Sequence, residues 1–313
     1  MSTDSIADPG DGMPVPARKR RWRLVLSFLG PLVIIGVLAY LLASHGHEVQ
    51  RAANRVSFGE LTLVTLLALM TLLARTEAVV ACLTAMDSRP SRVDIHAANS
   101  LTFLAAIVNH YVSSIVRGAL IKRLDPHRAP TIPQMIMVDT ATTLIEGLVV
   151  AILIVISAGA LKVVWWVPVL LVLAGIAGIA GALALRRRFA RHNLFRGLDV
   201  LAHSRHRNLV AVLMVIVICT QVARTLIVLQ AVGLHPSLLQ AVATFVAAGV
   251  LSSLFAGPGA GTAGGPLLIF GHGSLAASAA AGLVLSITSL LAGVLYAIPG
   301  GPVFLWRLKR VTA

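Results

Sequence analysis

Eight apolar stretches, each about 20 residues or longer, follow one another along the chain. Their approximate ranges are 24–43, 61–86, 95–116, 132–157, 163–185, 209–233, 238–256 and 274–301. A helix of about 20 residues crosses the roughly 30 Å of hydrocarbon in a bilayer, and no alternating strand pattern competes with helix here. The sequence therefore predicts an all-α, polytopic membrane helix bundle with about eight membrane segments.

Composition excludes the main soluble alternatives. Hydrophobic residues make up 57% of the chain, and charged residues make up 12%, about half the share in soluble domains. The mean hydropathy is +0.88. The net charge of +14 comes from Lys and Arg residues that cluster between the apolar segments, as in cytoplasmic loops of membrane proteins. We therefore expect membrane lipids as partners and no nucleic acid.

The N-terminal region separates into two parts. Residues 1–17 are acidic and rich in Gly and Pro, which predicts a disordered tail. Five basic residues between Arg18 and Arg23 then precede the first apolar segment, and no small-residue cleavage site follows that segment. Residues 18–313 are therefore predicted to form the membrane domain, with the N-terminus in the cytoplasm.

The positive charges of the connections constrain the topology further. If all eight segments crossed, the basic connection at 186–208 would lie outside, and so would the one that carries Lys122, Arg123 and Arg128. Both positions violate the positive-inside rule. Two re-entrant segments, the third and the seventh, bring both connections and the basic C-terminus to the cytoplasmic side. The interruptions at Asn109-His110 and at 257–266 suit such hairpins.

The result is an inverted repeat, an arrangement found in many transporters. The first repeat covers about 24–157 and the second about 163–305. The basic cytoplasmic loop 186–208 has apolar residues among its arginines and histidines. It is predicted either to lie in the headgroup layer and attract anionic lipid, or to act only as a topology determinant.

Ionisable residues inside the apolar segments are the strongest functional signal. They are Arg75, Glu77, Asp139, Glu146 and Arg224. Each costs about 2.5–3.5 kcal/mol at the centre of a membrane helix, so these side chains are expected to face one another or a wet cavity. Asp139 and Glu146 share a helix face and are predicted to lie opposite Arg224 or Arg75. Structural ion pairing and a role in transport or proton coupling both remain open.

The glycine-rich stretch includes a G-x-G-x-x-G pattern at Gly259, Gly261 and Gly264. A dinucleotide site would need a preceding strand and a later acidic residue, and no Asp or Glu follows Asp199. The stretch is predicted to form a tight turn that either holds an anion through its backbone N–H groups or only allows close packing.

The sequence contains no sign of an enzyme. Cys82 and Cys219 lie inside apolar segments, and the histidines lack the spacing of metal ligands. No nucleophile has a discernible base partner. We therefore expect no catalytic residues, no metal and no cofactor.

Two motifs resemble the flippase-like membrane domain of lysylphosphatidylglycerol synthases and its stand-alone bacterial relatives. The first is residues 109–122 (NHYVSSIVRGALIK); the second is the turn at Pro258–Gly261 with the final segment that ends at 298–301 (IPGG). Asp139 stands where that family has an acidic residue. Ser114 replaces the family's proline, Lys122 replaces its second arginine, and Ala119 and Gly264 replace two of its acidic residues.

The resemblance implies a lipid transporter of the bacterial cytoplasmic membrane that handles an anionic phospho- or glycolipid. The residues expected to contact the headgroup are Asn109, Arg117, Lys122, Gly257, Pro258, Gly259 and Gly261, and those expected to line the interior are Arg75, Asp139, Glu146 and Arg224. The alternative is a non-transporting accessory or scaffold subunit for an envelope glycolipid biosynthesis enzyme.

Overall fold

The computed structural model describes residues 46–88, 90–108, 110–157, 166–189, 192–254, 258–271 and 274–312. The predicted tail at 1–17 and the first apolar segment at 24–43 lie outside them. Residues 46–53 are helical, and the ten α-helices that follow them in the described residues are numbered in chain order. They are α1 (Phe58–Ala85), α2 (Arg92–Val108), α3 (His110–Leu124), α4 (Ile132–Ser157), α5 (Trp166–Arg188), α6 (Asp199–Ala202), α7 (Ser204–Ala231), α8 (Leu238–Leu254), α9 (Pro258–Phe270) and α10 (Leu275–Thr312), with a 3₁₀ helix at Asn193–Leu198 before α6.

Local capping explains where several helices begin. The Ser57 hydroxyl accepts a hydrogen bond from the Glu60 N–H at 3.2 Å, and the Glu60 carboxylate accepts one from the Ser57 N–H at 2.7 Å. Ser237 and Gln240 make the same reciprocal pair at the start of α8. These capping boxes satisfy N–H groups that a helix start leaves without partners.

Five of the described helices, α1, α4, α5, α7 and α10, are long and apolar enough to cross a membrane. Many of their large apolar side chains face outward: Leu170 and Leu173 on α5 are each 54% exposed, and Val212 on α7 is 57% exposed. Lipid solvates such a surface, whereas water does not. The described part of the chain thus confirms the all-α class and has the surface of a membrane protein.

The order of helices repeats within the chain. The helices α1 to α4 contain 28, 17, 15 and 26 residues, and α7 to α10 contain 28, 17, 13 and 38. The first helix of each set carries a matching sequence, TLLART at 71–76 and TQVART at 220–225. Each half therefore has a long helix, a pair of short helices and a second long helix.

The two halves meet where α1 and α7 cross. The hydroxyls of Thr71 and Thr220, the first residues of the matching sequences, lie 2.9 Å apart. One core cluster, around Leu83, contains the end of α1 and the start of α7, and the other, around Leu229, contains the start of α1 and the end of α7. The two helices therefore run antiparallel, and we name the ends of the bundle the Leu83 end and the Leu229 end.

The short helix pairs approach from opposite ends. Ile95, near the start of α2, and Ile121, near the end of α3, are both in the Leu83 cluster. Val242, near the start of α8, belongs to the Leu229 cluster, and Leu267, near the end of α9, packs against it. Each pair thus begins and ends at one end of the bundle.

The prediction of an irregular turn over the glycine-rich stretch is wrong for residues 258–266, which are part of α9. A β-carbon at Gly261 would lie 1.9 Å from the Ala248 carbonyl oxygen, and one at Gly265 would lie 2.8 Å from the Thr244 carbonyl oxygen. These glycines let α9 approach the backbone of α8 closely. This packing stabilises α9, although its own glycine and proline residues disfavour a helix.

Two apolar residues of the basic loop 186–208, Leu198 and Leu201, are buried in the Leu83 cluster. One further expectation is corrected. The last segment does not end near 301, because α10 continues through Pro299 and Pro302 to Thr312. At these prolines, contacts within the bundle override the local signal.

Candidate functional site

A buried ion pair joins α3 to α4. The Arg117 Nη2 atom lies 2.5 Å from both carboxylate oxygens of Asp139. Ser114, which stands where the resembled family has proline, donates a third hydrogen bond to this carboxylate. Arg117 is only 6% exposed, so each charge depends on the other for solvation.

The ion pair continues into a chain of neutral polar groups. Arg117 Nη1 donates to the Asn99 side-chain oxygen at 3.2 Å, and the Asn99 amide donates to the Thr76 hydroxyl. The Thr76 hydroxyl in turn lies 3.0 Å from the Tyr296 hydroxyl. Residues from α1, α2, α3, α4 and α10 are thereby connected through one set of hydrogen bonds.

The same chain reaches a second charged cluster closer to the Leu83 end. The Tyr296 hydroxyl is 2.8 Å from His96 Nδ1, and His96 Nε2 is 2.8 Å from the Glu77 carboxylate. Arg92 also binds Glu77, through Nε at 2.8 Å and Nη2 at 2.6 Å. We call this connected set of side chains the polar network; its members are Asp139, Arg117, Asn99, Thr76, Tyr296, His96, Glu77 and Arg92.

A separate ion pair links α1 directly to α4. Arg75 Nη2 lies 2.5 Å from the Glu146 carboxylate, which is one of the contacts predicted from the sequence. The Arg75 side chain is 41% exposed, so this pair is more open than the pair between Arg117 and Asp139.

Arg224 on α7 differs from these three clusters. Its guanidinium donates to Gln221 at 3.2 Å, to Ser289 at 2.6 Å, to Thr288 at 3.2 Å and to the Leu285 carbonyl oxygen. All four acceptors are neutral, and Nε is buried without a hydrogen-bond partner. Arg224 is 2% exposed and has no carboxylate partner among the described residues.

The contrast with Arg75 is informative because the two arginines occupy the same position of the matching sequences at 71–76 and 220–225. In the first half, Glu146 neutralises the guanidinium. In the second half, the corresponding guanidinium is buried among hydroxyls, an amide and a carbonyl. A cation buried without a counter-charge is costly, which makes Arg224 a candidate for a functional role.

Close packing of α10 against α2 holds the polar network in place. A β-carbon at Gly300 would lie 1.8 Å from the Ser100 hydroxyl oxygen, so only glycine permits this approach. Near the Leu83 end, Arg307 Nε lies 3.1 Å from the Asp94 carboxylate. These contacts bring Tyr296 within reach of α1 and α2.

The residues predicted to contact a headgroup are spread over both helix pairs. Asn109 and Gly257 lie outside the described residues. Lys122 is exposed in the last turn of α3, whereas Gly261 is buried against α8. Pro258 and Gly259 form the first turn of α9, and Arg117 is part of the polar network.

Sequence reasoning missed the neutral members of the network, which are Thr76, Asn99 and Tyr296, and also His96. Each lies in or beside an apolar segment, and this was the signal that could have identified them. The repeated T-x-x-A-R-T sequence was a second overlooked signal, because it marks equivalent positions in the two halves.

No family model matches the chain, and no curated protein or solved structure matches it either.

Proposed function

We propose that the chain is a multi-pass protein of the bacterial cytoplasmic membrane that moves a lipid with an anionic headgroup across the bilayer. In the proposed topology, segment 24–43 and the five long helices cross the membrane. The pairs α2–α3 and α8–α9 are re-entrant hairpins, and both chain termini are cytoplasmic. This is the activity that the motif resemblance implies, and it requires no catalytic residue.

Helix length supports the re-entrant hairpins. The helices of the two pairs contain 13 to 17 residues, which corresponds to about 20–26 Å of helix. That length falls short of the roughly 30 Å of hydrocarbon. Since each pair also begins and ends at one end of the bundle, a dip from opposite faces accounts for both observations.

The charge distribution supports the orientation. Basic residues concentrate at the Leu83 end, in the last turns of α3, α5 and α10. Positively charged connections remain on the cytoplasmic side during insertion, so we assign the Leu83 end to the cytoplasm.

The observation that carries the choice of an anionic substrate is the buried guanidinium of Arg224. A phosphate group that enters the bilayer loses hydrating water, and a preformed cation with surrounding hydroxyls replaces part of that hydration. Acidic side chains elsewhere in the described interior are already bound by Arg75, Arg92, Arg117, Arg186 or Arg307. Arg224 is thus the charge best suited to accept a passing headgroup.

Reconstituted vesicles provide the test of transport. Wild-type protein should accelerate the exchange of fluorescently labelled phosphatidylglycerol between leaflets, and Arg224→Gln should lower that rate at least tenfold, because it removes the charge. Arg224→Lys keeps the charge and should retain more activity than Arg224→Gln. Arg187→Gln, an exposed change on α5, is the matched control and should leave the rate within twofold of wild type.

Two results would contradict the proposal. If folded wild-type protein moves no lipid, the accessory or scaffold alternative is favoured, and a co-purifying envelope enzyme should then be found. If Arg224→Gln transports as fast as wild type while remaining folded by size-exclusion chromatography, Arg224 has a structural role only.

Cysteine labelling tests the topology separately. In a Cys219→Ser background, Lys122→Cys at the end of the first pair should react with an impermeant maleimide only from the cytoplasmic side. Ser237→Cys, at the start of the second pair, should react only from the outside. Labelling of both positions from the same side would refute the inverted arrangement. Cys82 is buried and should remain unlabelled.

A further inference from the structure

A cavity of about 540 Å³ opens at the Leu83 end between the end of α1, the start of α2 and the start of α7. Arg92, Arg205 and His206 line its polar side, and Leu83, Ile95 and Leu209 are among its apolar lining residues. No carboxylate is present among the lining residues. The volume lies within the range of small-molecule pockets.

The basic groups of this cavity retain capacity to bind a ligand. Arg92 uses Nε and Nη2 on Glu77, which leaves Nη1 for another acceptor. The Arg205 side chain is exposed and makes no hydrogen bond or ion pair with the described residues. His206 lies in ring contact with His203 at 6.4 Å, and neither of its nitrogens is hydrogen-bonded within the described chain.

The shape of the site matches an amphipathic ligand. The basic side chains are at the bundle end that carries the arginine-rich connections, whereas Leu209 is 49% exposed on the outer surface of α7. A ligand with an anionic head and an apolar tail would place its head between Arg92 and Arg205 and its tail along Leu209.

We infer that this cavity binds the phosphate group of an anionic phospholipid from the adjacent leaflet. In the proposed transporter it serves as the loading position, and only that role depends on the proposed function. Binding itself requires no transport. A soluble phosphate ester offers the same anionic group but lacks the tail that the apolar wall contacts.

The test measures binding to the full chain in nanodiscs or detergent by native mass spectrometry. The probes are phosphatidylglycerol, phosphatidylcholine and glycerol 1-phosphate. The double variant Arg205→Gln/His206→Gln should weaken phosphatidylglycerol binding at least tenfold. Arg187→Gln/Arg123→Gln removes two exposed basic residues at the same end, outside the cavity lining, and should change binding less than twofold.

Each outcome decides the inference. Selective loss of phosphatidylglycerol binding in the cavity variant, with weak binding of the other two probes, supports it. Equal loss of binding in both double variants would show that only general surface charge matters, and this would overturn the inference. Unchanged binding in both double variants would overturn it as well. Strong binding of glycerol 1-phosphate alone assigns the cavity to a soluble ester and overturns the lipid assignment. Arg224→Gln should still bind phosphatidylglycerol here, which separates this site from the transport step.

Discussion

Replacing Asp139 with alanine should lower the free energy of unfolding by about 3–5 kcal/mol, because it leaves the buried Arg117 charge without its partner. The carboxylate receives hydrogen bonds from both Arg117 and Ser114, and the pair lies between α3 and α4. Loss of this contact should release the first helix pair from the fourth helix. Thermal unfolding of the purified full chain in detergent, followed by size-exclusion chromatography, measures the effect.

Two controls separate the buried charge from the loss of side-chain volume. The double variant Arg117→Leu/Asp139→Leu should be markedly more stable than Asp139→Ala, because no unpaired charge remains buried. Glu146→Ala should cost less than Asp139→Ala, because Arg75 is 41% exposed and its long side chain can extend towards the headgroups or water, whereas Arg117 is enclosed by protein. If Asp139→Ala and Glu146→Ala both had only a small effect on stability, the conclusion that the Arg117–Asp139 pair is central to the fold would be wrong.

Gly261→Ala is the second change with a large expected effect. The added β-carbon would lie 1.9 Å from the Ala248 carbonyl oxygen and 1.9 Å from the Ser252 hydroxyl oxygen. A side chain can rotate away, but a helix backbone cannot, so α8 and α9 must separate. We expect a loss of about 3 kcal/mol or failure to fold, as for severe overpacking.

Gly249→Ala provides the matched control. Gly249 is on the exposed side of α8, and no atom lies within 4 Å of its β-carbon position. Alanine there should be neutral or stabilise the helix by up to about 1 kcal/mol. The same thermal unfolding assay applies. Equal melting temperatures for Gly261→Ala and wild type would argue against close packing and return the anion-holding turn to consideration.

The long helices could be predicted from the sequence because a helix that crosses a bilayer needs about 20 mostly apolar residues in a row. That requirement can be recognised in each segment taken by itself. The predicted segment 132–157 coincides with α4, and 61–86 differs from α1 by only a few residues. The predictions failed at 258–266 and at 299–302, where glycine and proline locally disfavour helix. Contacts with α8 and α2 decide the conformation there, and such contacts cannot be inferred from residues taken one at a time.

The candidate site was predictable to a lesser extent. The high cost of charge in lipid indicated that the intramembrane charges face one another, and the contact between Arg75 and Glu146 is one of the pairings that this left open. It did not assign Asp139 to Arg117, because that pairing depends on how the first helix pair folds back against α4. Asn99 and Tyr296 carry no charge, so a search for ionisable residues omitted them although they complete the polar network.

The arginines of the two matching sequences differ in their electrical surroundings. Although the two sequences run in opposite directions, a transmembrane voltage exerts a force in the same direction on both positive charges. Glu146 cancels the charge of Arg75, but no described carboxylate cancels that of Arg224. A full passage of one charge through 100 mV corresponds to about 2.3 kcal/mol. In the proposed transporter, a movement of Arg224 across the membrane should therefore depend on voltage, and a bound anion should reduce that dependence.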